Sequence, residues 1–375
     1  MTAFNSLRRW ARKSVDALSA SFSTAAAYTF YRKYPRLRLA LGAGEPTYTG
    51  RIVTEATALN CAVVWASVSV ISAAIASMPL PLYRRGPDDS RERAREHPLY
   101  ALLHDLPNPE TTAFQFRQTM QAHLLTWGNA YARIVRPTGD SRRILALTLI
   151  KPGDITRIER RSGELVYFWN ENGREQEPIT GADMLHLRGL GFDGLQGYSV
   201  ISMARQTIGL AQIEEEYAAK FFARGGRRPY LLEHPQRFKT DTDFENFREK
   251  WEKVYADPDN FYRAPILEGG LKYQELGFDM EDSQFLGARQ FGVPEICRWF
   301  KVSPHLVHDL SRATFSNIEH LAIEFVTHTL GPWMKRWEQE IARCLLTTEE
   351  RQTYYAEFNP DSLLRGDFES RTTGY

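Results

Sequence analysis

Hydrophobic positions along the chain follow two different periods, and the change from one to the other divides it into blocks. From Ala56 to Tyr83 there is no charged residue, and Val64, Val68, Ile71 and Ile75 recur every three or four positions, which is the spacing of one helical face. The stretch is long enough to cross a bilayer. Its richness in Ala and Ser and its single apolar stripe instead predict a buried core helix, ended by Met78-Pro79-Leu80-Pro81. Leu80–Tyr83 reads as a short strand running into a charged loop from Arg84 to Glu96. His97-Pro98 opens a helix through Leu103, and Leu106-Pro107-Asn108-Pro109 is a turn. Thr112 and Gln115 carry the capping-box pattern of a helix that reaches Trp127, with Gly128 at its C-cap.

Beyond Gly128 the period shortens to two. Ala130–Val135, Ile144–Ile150, Ile155–Glu159 and Leu165–Trp169 alternate as strands. The turns Pro137-Thr138-Gly139-Asp140, Lys151-Pro152-Gly153-Asp154 and Arg161-Ser162-Gly163-Glu164 separate them, which predicts a mainly antiparallel sheet. After Ser199 the helical period returns. Ile201, Ala204, Ile208, Ala211, Glu215, Ala218 and Phe222 fall at alternating spacings of three and four, the mark of a helix packed lengthwise on others. Gly225-Gly226 stops it, and Glu215 is the charged member of this seam.

A small α/β insert follows, with a helix over Phe244–Tyr255 and a hairpin of Ala264–Leu267 with Leu271–Leu276 about Gly269-Gly270. The next helix, Ser283–Phe300, is expected to be interrupted by Pro294, and Ser303-Pro304 caps a short one. The polar segment Ser311–Ser316 leads into a last long helix, Asn317–Leu346, lined by Ile318, Leu321, Phe325, Trp333, Trp337 and Ile341. Gly331-Pro332 should kink it. The whole reads as α+β.

Charge narrows the function classes. With 47 basic and 46 acidic residues among 375, the net charge is +1, which excludes the basic signature of a protein that grips duplex DNA tightly. A protein that surrounds DNA and lets it move stays admissible. Only the first 40 residues are lopsided, with eight Lys/Arg against Asp16, and they read as a flexible basic arm. Cys61, Cys297 and Cys344 lie far apart without a CxxC pair, so free thiols in a reducing compartment are expected.

Motifs for chemistry fail one after another. Gly189-Leu190-Gly191-Phe192-Asp193-Gly194 matches GxGxxG after a probable strand. A dinucleotide site needs a helix opening at that loop and an acid ending a second parallel strand. Here Gln196-Gly197 intervenes, and Glu214, Glu215 and Glu216 lie inside a helix. A nucleotide-binding enzyme using the Gly189–Gly194 loop is therefore only the alternative reading. His305 with His308, and His320 with Glu324 and His328, have helical spacing that zinc could use, but HExxH is absent. Neither GxSxG nor GxxxxGK[ST] occurs. No catalytic, cofactor or metal residue is assigned.

A further set of motifs falls in one order. It begins with His97-Pro98-Leu99, Leu102-Leu103 and Pro107-Asn108-Pro109, followed by Gly128-Asn129-Ala130-Tyr131 and Lys151-Pro152-Gly153-Asp154. Asp193-Gly194-Leu195-Gln196-Gly197-Tyr198-Ser199, Phe221-Phe222-Ala223-Arg224-Gly225-Gly226 and Leu267-Glu268-Gly269-Gly270 come next. Glu295-Ile296-Cys297-Arg298-Trp299-Phe300 and Leu363-Leu364-Arg365-Gly366-Asp367 close the series. Together they resemble the portal proteins of tailed bacteriophages, in the branch common among siphophages.

That resemblance implies a portal fold with an antiparallel-sheet wing over 41–198, rejoined by the kinked helix of 317–358. It implies a two-helix stem of 199–225 and 279–310, a small α/β clip of 226–278, and a crown beginning at 359 that is shortened. The implied function is a homo-oligomeric ring, usually of twelve subunits, at one capsid vertex of the virion. The ring is a structural conduit for double-stranded DNA in packaging, retention and ejection, with no cofactor and no membrane. Its partners are the terminase large subunit, then the head–tail adaptor, and the major capsid protein. The tunnel loop, which touches DNA in the family, falls on Ser311, Arg312, Ala313, Thr314, Phe315 and Ser316. Glu214, Glu215 and Glu216 are candidates for the bore, and Arg227, Arg228 and Lys239 for the clip contact with terminase or adaptor.

Overall fold

The uncharged segment becomes helix α2 (Ala62–Ser77), entered through a single turn, α1 (Glu55–Ala58), that Thr54 and Thr57 close as a capping box. The structure is a computed structural model and describes residues 46–137, 143–191, 194–223, 230–253, 266–267, 269–275, 282–309 and 318–364. Val64, Val68, Ile71 and Ile75 are all buried, as the single stripe required. Among the described residues no helix is long and apolar enough to cross a membrane. After α2 come β1 (Leu82–Arg85), β2 (Arg91–Arg93), α3 (Pro98–His104) and α4 (Ala113–Trp127).

The charged stretch expected as a loop is in fact a hairpin. Gly86 N donates to Ser90 O at 2.8 Å across its turn. Arg84 faces Glu92 in register, and the Arg91 guanidinium lies 5.1 Å from the centre of the Tyr83 ring. Opposite charges across an exposed sheet edge satisfy pairing without an apolar pattern, which hid the strand. α4 begins with the expected Thr112–Gln115 capping box and ends on Gly128 at φ 73. Phe116, Met120 and Leu124 of α4 are buried where α4 packs on α2.

Strands β3 (Asn129–Val135), β4 (Ala146–Ile150), β5 (Ile155–Arg161), β6 (Glu164–Glu171), β7 (Arg174–Glu175), β8 (Ile179–Thr180) and β9 (Met184–Arg188) form two antiparallel sheets, not one. The first has the order β4-β3-β9, and in the second β6 pairs with β5, β7 and β8. The short 3₁₀ turn Pro152–Asp154 breaks the pairing after β4, so the next hairpin folds over the first sheet. Tyr131 and Ile150 from one sheet meet Tyr167 and Ile179 from the other, with Met184, in a shared core.

The chain divides into two compact units, Met1–Gly209 with Val293–Tyr375, and Leu210–Gly292. Helix α5 (Val200–Ala223) contributes to each. Ile201, Ala204, Ile208 and Ala218 are buried, whereas Phe222 is 73% exposed and Glu215 is exposed. The second unit also holds β10 (Tyr230–Glu233), α6 (Asp241–Trp251) and β11 (Lys272–Glu275). β11 pairs antiparallel with β10, not with the expected 264–267. Residues 264–265 lie outside the described residues, and Ile266 and Leu267 are in no strand. Gly269 and Gly270, at φ 67 and 80, do form a turn. The segment before β10 carries three basic residues, and that charge masked its strand pattern.

Helix α7 (Asp282–Phe300) runs through Pro294 without interruption, against expectation. Proline removes one helical hydrogen bond, and the carbonyl left over belongs to Gln290, an exposed residue where water can meet it. The last long helix is likewise not one kinked rod. It comprises α8 (Ile318–Glu324), a π-helical stretch Phe325–Leu330, and α9 (Gly331–Leu345). The wide turn resets the ladder so that Pro332 enters the first turn of a new helix, where a missing N–H costs nothing. Trp337, Ile341 and Leu345 of α9 are buried. After α10 (Glu350–Thr353), β12 (Tyr354–Ala356) joins the edge of β1, and α11 (Asp361–Leu364) follows.

One histidine reports how dry the first unit is. Burial, with Lys151 nearby, pushes His123 down from 6.5 to about 4, and its ring meets Trp127 edge-on at 5.4 Å. A depressed histidine stabilises the fold fully above its unfolded value, and that contribution is lost as pH falls towards the folded one. Melting temperature is therefore expected to fall between pH 6.5 and about 4. In His123→Gln the slope of stability with pH should shrink by close to one proton, about 1.4 kcal/mol per pH unit. An unchanged slope in thermal melts would show that His123 is not held neutral.

Candidate functional site

Two of the ordered motifs meet in one buried cluster through Asn129 and Gly197, 68 residues apart in sequence. Gly128 turns the chain from α4 into β3 and puts the Asn129 side chain under the loop that precedes α5. Asn129 Nδ2 donates to Gly197 O at 2.7 Å and to Trp127 O at 3.2 Å, and its Oδ1 accepts from Gly197 N at 2.8 Å. His186 Nε2 lies 3.1 Å from the same Oδ1. Arg188 Nε, which can only donate, is 3.2 Å from His186 Nδ1, and the Tyr167 hydroxyl is 3.1 Å from it. Nδ1 is therefore an acceptor, and Nε2 carries the proton towards Asn129. Burial above all, then Arg188 and Arg343, holds His186 well below its ordinary value and so neutral. All four bonding capacities of Asn129 are used.

This cluster fixes where α5 starts. Ser199 Oγ accepts from Ser202 N at 3.0 Å as the N-cap, and donates to Thr126 O at 2.7 Å. Arg336 of α9 secures the neighbouring strand end, its Nη1 donating to Arg188 O at 2.8 Å and Gly189 O at 3.1 Å. Gly189 and Gly191 of the GxGxxG stretch serve this packing. Gly189 N donates to Gly128 O at 2.8 Å, and a Cβ on Gly191 would stand 2.1 Å from Gln196 O. Helix α5 begins only at Val200, so no helix opens on the loop.

Within the second unit, the three glutamates on α5 differ. Glu214 is turned towards Arg289 of α7, and burial raises its carboxyl against the opposing pull of that arginine. Glu216 pairs with Lys220 one turn on. Glu215 is exposed, although it falls in the apolar seam of the sequence; the expected seam does not enclose it in the single chain. Leu210 and Tyr217, seven residues apart on the same helix, are 51% and 59% exposed, and Phe291 of α7 is 59% exposed. Seven residues return a helix to nearly the same side, so α5 presents Leu210 and Tyr217 on one exposed side. Lys239, between β10 and α6, is exposed. Ser311, Arg312, Ala313, Thr314, Phe315 and Ser316 lie outside the described residues, as do Arg227 and Arg228. Among the described residues no group of three or more His, Cys, Asp or Glu is placed to hold a metal ion.

The chain matches the family described as phage portal protein over residues 62–375. It belongs to the phage portal protein family. It is 32% identical over 323 residues to the portal protein of Enterobacteria phage HK97, spanning 85% of this chain and 75% of that one. Its fold resembles the crystal structure of an HK97-family phage portal protein from Corynebacterium diphtheriae, with a TM-score of 0.61 at 16% identity over 83% of this chain and 97% of that one. It also resembles a chain in the neck of a native gene transfer agent particle determined with C12 symmetry, with a TM-score of 0.55 at 18% identity over 88% and 84% of the two chains.

In this portal protein, two motifs of the ordered series turn out to be packing devices. Gly128-Asn129 and Gln196-Gly197 are halves of one clamp. His186 and Arg188, which complete it, carried no motif. Alternation marks β9 as a strand but does not distinguish a core histidine from any other.

Proposed function

We propose that this portal protein forms a closed ring, of twelve subunits, that conducts double-stranded DNA through one capsid vertex during packaging, retention and ejection. The match to the portal family along residues 62–375 carries this reading, and the C12 symmetry of the related neck supports the number. The role is structural, and no catalytic step is assigned to the chain. Residues 41–198 with 317–358 act as the wing, 199–225 with 279–310 as the stem, and 226–278 as the clip. The clip, with Arg227, Arg228 and Lys239, meets the terminase large subunit and then the head–tail adaptor, and the wing sits among major capsid subunits.

A conduit must hold DNA without trapping it. Every phosphate neutralised by Lys or Arg adds a counterion-release contribution to affinity, and a basic bore repeated around a ring would bind too tightly for sliding. A net charge of +1 and an exposed Glu215 suit a low-friction channel, with Arg312 and Phe315 of the 311–316 loop making transient contacts.

The ring also accounts for the exposure of these apolar side chains. Leu210, Tyr217 and Phe291 pack against the neighbouring subunit. Leu210→Glu with Tyr217→Glu should leave the subunit's own stability within about 0.5 kcal/mol, because both residues are exposed, yet abolish the ring. Size-exclusion chromatography with light scattering is expected to give a folded monomer. Rings of unchanged mass would refute this seam.

A further inference from the structure

Four guanidinium groups line a single cavity of about 510 Å³ in the first unit: Arg136, Arg160, Arg343 and Arg351. The lining also offers the Thr347 hydroxyl and includes one carboxylate, Glu164. Arg343 and Arg351 are each tethered on one edge. Arg343 Nε and Nη2 donate as a fork to Glu340 at 3.0 and 2.5 Å. Arg351 Nε donates to Ala342 O at 2.8 Å and Leu346 O at 3.2 Å, and its Nη2 to Arg343 O at 2.9 Å, capping the end of α9. Arg136 Nε reaches Asp183 Oδ1 at 3.1 Å, and Arg160 makes only a long 3.5 Å bond to Gly163 O. Asp183 and Glu340 stand outside the lining but pair with Arg136 and Arg343, which leaves Arg160 and Arg351 facing the cavity without an acid partner among the described residues, against the single carboxylate of Glu164.

From this arrangement we infer that the cavity is a docking site for the carboxylate side chains of an acidic peptide segment on a partner protein. Like charges gathered around one concavity repel each other, and an anion there relieves the repulsion. Tethering by one edge leaves Nη1 of Arg343 and of Arg351 without a bond among the described residues, and such a planar edge fits a carboxylate with two parallel bonds. Leu165, Leu345 and Leu346 in the same lining suit the methylene stem of a glutamate. Shape decides between the two available polyanions. The phosphate backbone of a duplex lies on a broad convex rod and cannot enter a pocket of this size, whereas a single side chain can. The site is independent of the ring reading and survives its failure.

The test uses the full chain and a fluorescent eight-residue peptide of Glu and Asp, followed by anisotropy at low salt. Saturable binding is expected, at least tenfold weaker in Arg160→Ala with Arg343→Ala, unchanged in Arg237→Ala (an exposed arginine of the other unit), and about threefold tighter in Glu164→Gln. Arg160→Ala alone, which gives up only the long bond to Gly163, should lose about threefold if the double variant does not fold. A short DNA duplex should compete poorly, and inorganic phosphate only at much higher concentration. Three results would overturn the inference: no saturable binding, equal binding by the arginine variants, or a duplex that displaces the peptide and depends on the same arginines.

Discussion

Replacing Arg117 with leucine is expected to cost about 3–5 kcal/mol of stability. The side chain is only 8% exposed. Its Nη1 donates to Leu103 O at 3.0 Å and its Nη2 to Ala76 O at 2.7 Å. Those carbonyls belong to the last turns of α3 and α2, where a helix has acceptors without partners of its own and a partial negative charge. One buried cation thus closes two helix ends. Burial lowers its pKa to about 10, which still leaves it charged at neutral pH, so both bonds are charge-assisted. Leucine fills much of the volume but leaves two carbonyls buried and unmet, and the melting temperature should fall by about 5–8 °C. A shift within a degree of wild type would mean that water or backbone movement replaces the guanidinium.

Gly197→Ala should be nearly as damaging, by about 3 kcal/mol. A Cβ there would stand 2.2 Å from Gly128 O, 2.6 Å from Gly189 N and 2.9 Å from Gly189 Cα. All three obstacles are backbone, so no side chain can rotate away. The loop must lift, breaking both Asn129 bonds to Gly197, and the N-cap of α5 lies only two residues further on. Thermal melts test the size of the effect. Asn129→Ala, which breaks the same clamp without a clash, should reproduce part of it. Wild-type stability in Gly197→Ala would contradict the close packing described.

These two sites show how far residue patterns carry. The stripe Val64, Val68, Ile71 and Ile75 and the Thr112–Gln115 cap were readable because each is local: one period, one cap, one face. Arg117 was not, since a buried arginine at the end of two helices looks like any surface arginine within its own helix. β12 was missed for the same reason, as three residues reach back across the chain to β1. The β1–β2 hairpin escaped because its exposed edge is stabilised by charge pairs. Pro294 misled in the opposite direction, because the carbonyl it frees belongs to exposed Gln290, where water lowers the cost of a proline inside a helix. For the candidate site, the motif series identified the family but not the contact of Asn129 with Gly197, and it singled out Glu215 in the helix seam, whereas Glu215 is exposed and Glu214 is the one turned towards Arg289. Their difference depends on where Arg289 of α7 stands, which no spacing within α5 records.

Closure of this chain into a ring around a channel can be seen directly. Electron microscopy of the purified full-length protein tests it most directly. The account predicts particles of cyclic symmetry with a central hole wide enough for duplex DNA and a mass about twelve times the 43.1 kDa subunit. A compact monomer at every concentration and salt, or assemblies without a channel, would contradict it.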